Sequence, residues 1–177
     1  METTQLYVEL IIIGLETSIW MCIIFVNIIG KQVIGITSNI LNNLSSSLLL
    51  VGVLYILGLL MDRLSELIYK KVENKIRRNS GFEEKTSILI WEKHNKGKYF
   101  EYAKTKIKIL RASTINVPLI SISLMWYIWN FEKNNQIMLS MYVLLLGGLF
   151  TWVSWKSHLN SLKSYFDKAR LLELKKE

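Results

Sequence analysis

Three polar side chains stand inside the first long apolar run of the chain, Leu6 to Ile29: Glu9, Glu16 and Asn27. Placing an ionisable group at the centre of a bilayer costs roughly 2.5 to 3.5 kcal/mol on insertion scales, so such residues face a protein interior or a water path. Glu9 precedes Glu16 by seven residues and Asn27 follows it by eleven. On a helix each step misses a whole number of turns by only about 20°, so the three form one stripe. In a symmetric oligomer that stripe becomes stacked rings that attract cations along a pore, or a proton relay. Alternatively, Glu16 is hydrogen-bonded to hydroxyls within the bundle, such as Ser45 to Ser47, Ser121 or Ser123. Trp20 falls near the same face, as a constriction or as ordinary helix packing.

Two further groups could couple a signal to such a path. Asp62 and Arg63 mark the end of a second apolar run, and adjacent helical residues point about 100° apart, so each needs its own partner. Arg63 either snorkels to the interface or forms a gating ion pair with a neighbouring helix or subunit. A third apolar run opens with Arg111, Ser113, Thr114, Asn116 and Pro118. Pro118 lacks a backbone donor and predicts a kink, the start of the membrane part of that helix, or a hinge for gating.

A ligand site is expected in the basic region between these runs. Lys104, Lys108 and Arg111 recur at helical spacing and share a face, while Lys96, Lys98, Tyr99, Phe100 and Tyr102 combine charge with flat rings. That combination suits phosphates and stacked bases, hence a nucleotide or oligonucleotide; anionic lipid headgroups satisfy the same charges.

The elements that must position these residues follow from composition. The chain has 177 residues, 51% of them hydrophobic, and a mean hydropathy of +0.27, which indicates an integral membrane protein. Four runs qualify as spans: Leu6 to Ile29, Leu44 to Met61, Ala112 to Phe131 and Ile137 to Trp155. The fold class is therefore all-α. Residues 1–61 read as a transmembrane hairpin, 62–111 as a basic cytoplasmic helical region, 112–155 as a second hairpin and 156–177 as an amphipathic tail helix. Of 22 Lys and Arg, 14 lie from Arg63 to Arg111 and six from Lys156 onward, with only Lys31 and Lys133 in the other two loops. The positive-inside rule places both termini and the central region in the cytoplasm. Two glutamates in the first run and no basic n-region argue against a cleaved signal peptide.

The spans appear in the pattern as longer helices. Leu64, Leu67, Ile68, Val72 and Ile76 predict an apolar stripe continuing span two until Asn79, Ser80 and Gly81 stop it. Ile88 to Trp91 form a short apolar cluster, and from Tyr99 one helix can run through Arg111 into span three. Leu159, Leu162, Phe166, Ala169 and Leu172 give the tail a matching stripe. Narrow, sustained stripes on so small a domain favour burial against further copies, so a homo-oligomer is expected, with an intramolecular bundle in a monomer as the alternative.

Enzymatic chemistry has no support: there is no glycine-rich phosphate loop, nucleophile elbow or paired histidines, and no cofactor is expected. Cys22 reads as a small buried apolar residue, and His94 and His158 stand apart from other ligand types, giving no metal site. Gly147 and Gly148 suggest close helix packing.

The short chain, four spans, intramembrane Glu9 and Glu16, and basic helical extensions from Arg63 to Arg111 and after Lys156 resemble the small multi-span effector subunits of bacterial antiphage systems, such as the membrane component of the Hailong system. The resemblance is one of layout over the whole chain and transfers no residue role. It implies channels or membrane disruptors whose opening is set by a nucleotide or oligonucleotide signal. The expected partners are thus membrane lipid, further copies of the chain, an anionic nucleotide or oligonucleotide, and a cytoplasmic regulatory protein. The alternative is a non-conducting scaffold that recruits an acidic or nucleic-acid partner through the same basic surface.

Overall fold

In the computed structural model, residues 3–30, 44–80, 97–132 and 134–174 are described, and they form four helices with no strand among them. These are α1 (Thr3–Ile29), α2 (Leu44–Ser80), α3 (Gly97–Phe131) and α4 (Gln136–Leu174). All four are long and apolar enough to cross a membrane. The chain is therefore an all-helical, multi-pass membrane protein. Lys96 and the cluster at 88–91 lie outside the described residues.

Helix length separates the membrane part from the rest. At 1.5 Å per residue, the 37, 35 and 39 residues of α2, α3 and α4 give about 55, 52 and 58 Å, against about 30 Å of hydrocarbon. Three helices thus project beyond the bilayer at one end, where the basic residues collect. The apolar part of α4 runs from Ile137 to Trp155, with Lys156 marking its boundary. The helices pass through residues 61, 111 and 155 unbroken, and α2 continues through Asn79 and Ser80, beyond the stop that their types suggest. Pro118 also lies inside α3 without interrupting it.

Neighbouring helices are antiparallel, α1 with α2 and α3 with α4, while α1 and α3 run parallel. Both ends of the described chain therefore sit at the basic end of the bundle. In the membrane, α1 packs on α2 and α3, α3 packs on α4, and α1 does not pack on α4 among the described residues. Beyond the membrane, α2 leans on α3 and α4, and Ile107, Leu162 and Phe166 bury together with Ile76 and Tyr165 against them. The predicted tail stripe is thus buried at Leu162, Phe166 and Ala169.

The stripe predicted on α2 lies largely on the outside of the single chain. Leu64, Leu67 and Ile68 are 47%, 70% and 52% exposed, whereas Met61 and Ser65 are buried. The inward face of this helix is polar because it meets a charged residue of α3, so the apolar face is turned outward.

Glycine sets the closest approach. A Cβ on Gly14 would lie 1.8 Å from the Leu54 carbonyl oxygen, and one on Gly58 would lie 1.9 Å from that of Leu10, so the α1 and α2 backbones touch. Gly147 similarly accommodates the Ser121 hydroxyl, while a Cβ on Gly148 would meet no described atom within 4 Å. At the end opposite the basic residues, the Trp129 indole donates to Ser140 Oγ at 3.1 Å, and Asn135 takes a left-handed φ of 62° that turns the chain into α4.

Candidate functional site

The stripe on α1 faces α3. Because the two helices are parallel, each polar residue of α1 meets a partner 96 to 103 positions later, and the contacts form successive tiers along the bundle.

At the basic end Glu9 is 1% exposed. Lys108 Nζ lies 2.8 Å from one of its carboxylate oxygens, and the Thr105 hydroxyl donates to the other at 2.9 Å. A hydroxyl thus bonds one carboxylate oxygen, while the other is held by its ion pair with Lys108 and accepts no hydrogen bond. At mid-membrane Glu16 accepts from Ser113 Oγ at 2.8 and 3.0 Å and from Asn116 Nδ2 at 3.2 Å. Asn116, fully buried, turns its carbonyl oxygen to Trp20 Nε1 at 3.1 Å and to Thr17 Oγ1 at 3.4 Å. Trp20 is therefore a hydrogen-bonding wall of this tier. Toward the far end, Asn27 donates to the Ser123 carbonyl at 3.3 Å and accepts from Asn130 at 3.3 Å.

Of the two readings of the stripe, the structure contains the hydrogen-bonded helix contact within one protomer. The hydroxyl on Glu16 belongs to Ser113, and Ser121 and Ser123 instead bond carbonyls of their own helix. Short hydroxyls on α3 and carboxylates on α1 are complementary, so burial leaves few groups unsatisfied.

Asp62 and Arg63 separate as their angular spacing requires. Arg63 is exposed and pairs with Glu66 on its own helix at 3.0 Å, while Asp62 receives Arg111 Nη2 at 2.8 Å. Arg111 is 6% exposed and uses its whole guanidinium: Nε donates to Ser65 Oγ at 3.2 Å and Nη1 to Glu73 at 3.2 and 3.4 Å. This fork ties two parts of α2 to α3.

His158 follows Trp155 by three residues, outside the fourth span, and is not isolated. It is fully buried against Tyr69 and Trp155, with Nε2 3.6 Å from Glu73 Oε1. Burial, with the Arg111 charge adding to it, lowers its pKa from 6.5 to about 4, so the ring is neutral at pH 7. Cys22 is exposed rather than buried, on the outer side of α1.

The expected ligand residues divide between two cavities. Lys104, Lys108 and Arg111 line a groove of about 620 Å³ between α2 and α3, which also holds Asp62, Glu66 and Glu73. There Lys108 and Arg111 are already paired, and Lys104 lies 5.9 Å from the Phe100 ring centroid. Tyr99 and Tyr102 line a second cavity of about 490 Å³ between α3 and α4. Lys98 lies in the first turn of α3. Among the described residues no cluster of His, Cys, Asp or Glu is suited to a metal ion.

Thr105, Ser113, Ser65 and Glu73 complete the site and were not singled out for it by sequence. For all but Ser113 the signal was present: Thr105, Asn116, Ser123 and Asn130 fall within an arc of about 40° on α3, and Asp62, Ser65, Tyr69 and Glu73 follow helical spacing on α2. Comparison with known proteins yields no matching family model, no matching curated protein and no matching solved structure.

Proposed function

We propose that the protein is a homo-oligomeric cation channel of the bacterial inner membrane, opened by an anionic nucleotide or oligonucleotide and acting by depolarisation, as the resemblance to antiphage effectors implies. The observation that supports this reading is the α1–α3 seam, in which polar side chains recur from Glu9 and Lys108 to Asn27 and Asn130 through otherwise apolar helices. Packing alone gives no reason to place two carboxylates there.

In the closed arrangement the seam's groups bond one another and exclude water. Moving α1 away from α3 presents Glu9, Glu16, Asn116 and Asn27 to water as a continuous polar wall. Because α1 does not pack on α4, its displacement leaves the α3–α4 pair intact. Lys108 is the link to the ligand: an anion entering the basic groove beside Lys104 competes with Glu9 for it. The charge distribution puts this groove in the cytoplasm. The outward-facing Leu64, Leu67 and Ile68 beyond Asp62 offer a surface for a second copy.

Cation flux from liposomes containing the purified protein, with and without added nucleotides and oligonucleotides, tests the reading. Flux reduced in the Glu9→Gln, Glu16→Gln double variant is expected. Absence of flux under every ligand, or flux indifferent to both substitutions, overturns it in favour of a non-conducting scaffold.

A further inference from the structure

The cavity between α3 and α4 differs in charge from the groove between α2 and α3. Its basic residues are Lys106 and Lys156, and among the described residues no carboxylate lines it. An uncompensated pair of cations selects anions. The hydroxyl-bearing side chains suit a phosphate: Ser157, Ser161 and Ser164 recur at helical spacing on α4, opposite Tyr99 and Tyr102 of α3. Part of the wall is preorganised, because Lys156 Nζ sits 4.9 Å from the Trp152 ring centroid and Lys168 bonds the Tyr99 hydroxyl.

The position of the cavity identifies the source of the phosphate. Trp152 and Val153 line its membrane side, at the end of the fourth apolar run, and are 59% and 46% exposed. The same face of α4 continues into the membrane through Leu149 and Leu145, four and eight residues before Val153, which are 56% and 70% exposed. An apolar strip thus leads from the hydrocarbon directly to two lysines and a row of hydroxyls. Free nucleotides have no use for such a strip, whereas a lipid acyl chain does. We infer that this cavity binds the phosphate headgroup of an anionic phospholipid, with Lys106 and Lys156 on the phosphate and an acyl chain along Val153, Leu149 and Leu145. The site is independent of the channel reading and uses Lys106 and Lys156, which the groove between α2 and α3 does not.

The test is native mass spectrometry of the full-length protein released from nanodiscs of mixed phosphatidylglycerol and phosphatidylcholine. Retained phosphatidylglycerol is expected to exceed its share of the mixture. Lys106→Gln with Lys156→Gln should reduce that preference by about 5-fold per lysine, or about 25-fold together. Lys106→Arg with Lys156→Arg should retain it. The comparison variant, Lys163→Gln with Arg170→Gln, removes equal charge from α4 outside the cavity and should lose far less. Equal losses in the two neutralised variants would mean a diffuse attraction and overturn the site. Inorganic phosphate or a nucleotide displacing phosphatidylglycerol at millimolar concentration would overturn the lipid as the source.

Discussion

Replacing Arg111 with Leu removes the one group among the described residues that bonds Asp62, Ser65 and Glu73 together. The Arg111, Asp62 and Glu73 side chains are 8%, 15% and 22% exposed, so the pairing is largely desolvated. Removing one partner of such a pair costs about 3–5 kcal/mol, because the remaining charge is left buried without compensation. Here two carboxylates on the same side of α2 are left, which places the loss toward the upper end. At about 2–4 °C per kcal/mol for a chain of this size, the unfolding midpoint in detergent should fall by roughly 6–20 °C. Lysine at this position keeps the charge but has no fork, so Arg111→Lys should recover only part of the loss. The decisive comparison is the triple variant Arg111→Leu, Asp62→Asn, Glu73→Gln, measured by fluorescence-detected size exclusion after heating. It should be more stable than Arg111→Leu alone, since it buries no uncompensated charge. A triple variant no better than the single one, or a single one no worse than Arg78→Leu on the exposed face of α2, would refute the account of Arg111 as an electrostatic tie.

The remaining expectations concern packing and pH. Gly58→Leu must force the α1 and α2 backbones apart and should give aggregated material on size exclusion, while Gly52→Ala, with no neighbour within 4 Å, should elute as the parent does. The lowered pKa of His158 means the unfolded chain takes up a proton that the folded one refuses. Stability should therefore be lost as pH falls from 6.5 toward 4. His158→Phe, which keeps the ring stack with Tyr69 and Trp155, should show a shallower loss of thermal midpoint over that interval; identical slopes would exclude the histidine as the cause.

The helices were legible because a bilayer imposes length and apolarity on each span separately, and both properties are local. The α1 stripe was legible for a similar reason: Glu9, Glu16 and Asn27 share one helix, so their alignment needs only the helical period. What they face was not, because the partner lies about a hundred residues away and hydroxyl-bearing residues are common in membrane helices. On α2 the apolar stripe was legible but the side it takes was not: Leu64, Leu67 and Ile68 face away from α3. Where a buried Arg111 needs Asp62, Ser65 and Glu73, polar residues define the inside and apolar ones the outside. The basic face of α3 was divided for a geometric reason as well: Tyr102 and Lys106 point away from Lys104 and Lys108, toward α4.

The parallel register of α1 and α3 has a consequence for synthesis. Ser113 follows Glu16 by 97 residues, so at about 5–20 residues per second α1 enters the membrane roughly 5–20 s before its hydrogen-bonding partner exists. During that interval α2 is the one described helix made alongside α1, and its backbone meets α1 at Gly14 and Gly58 through contacts that need no polar side chain. The glycine contact thus acts as a temporary holding place for a helix carrying two unsatisfied carboxylates, until α3 arrives to receive them.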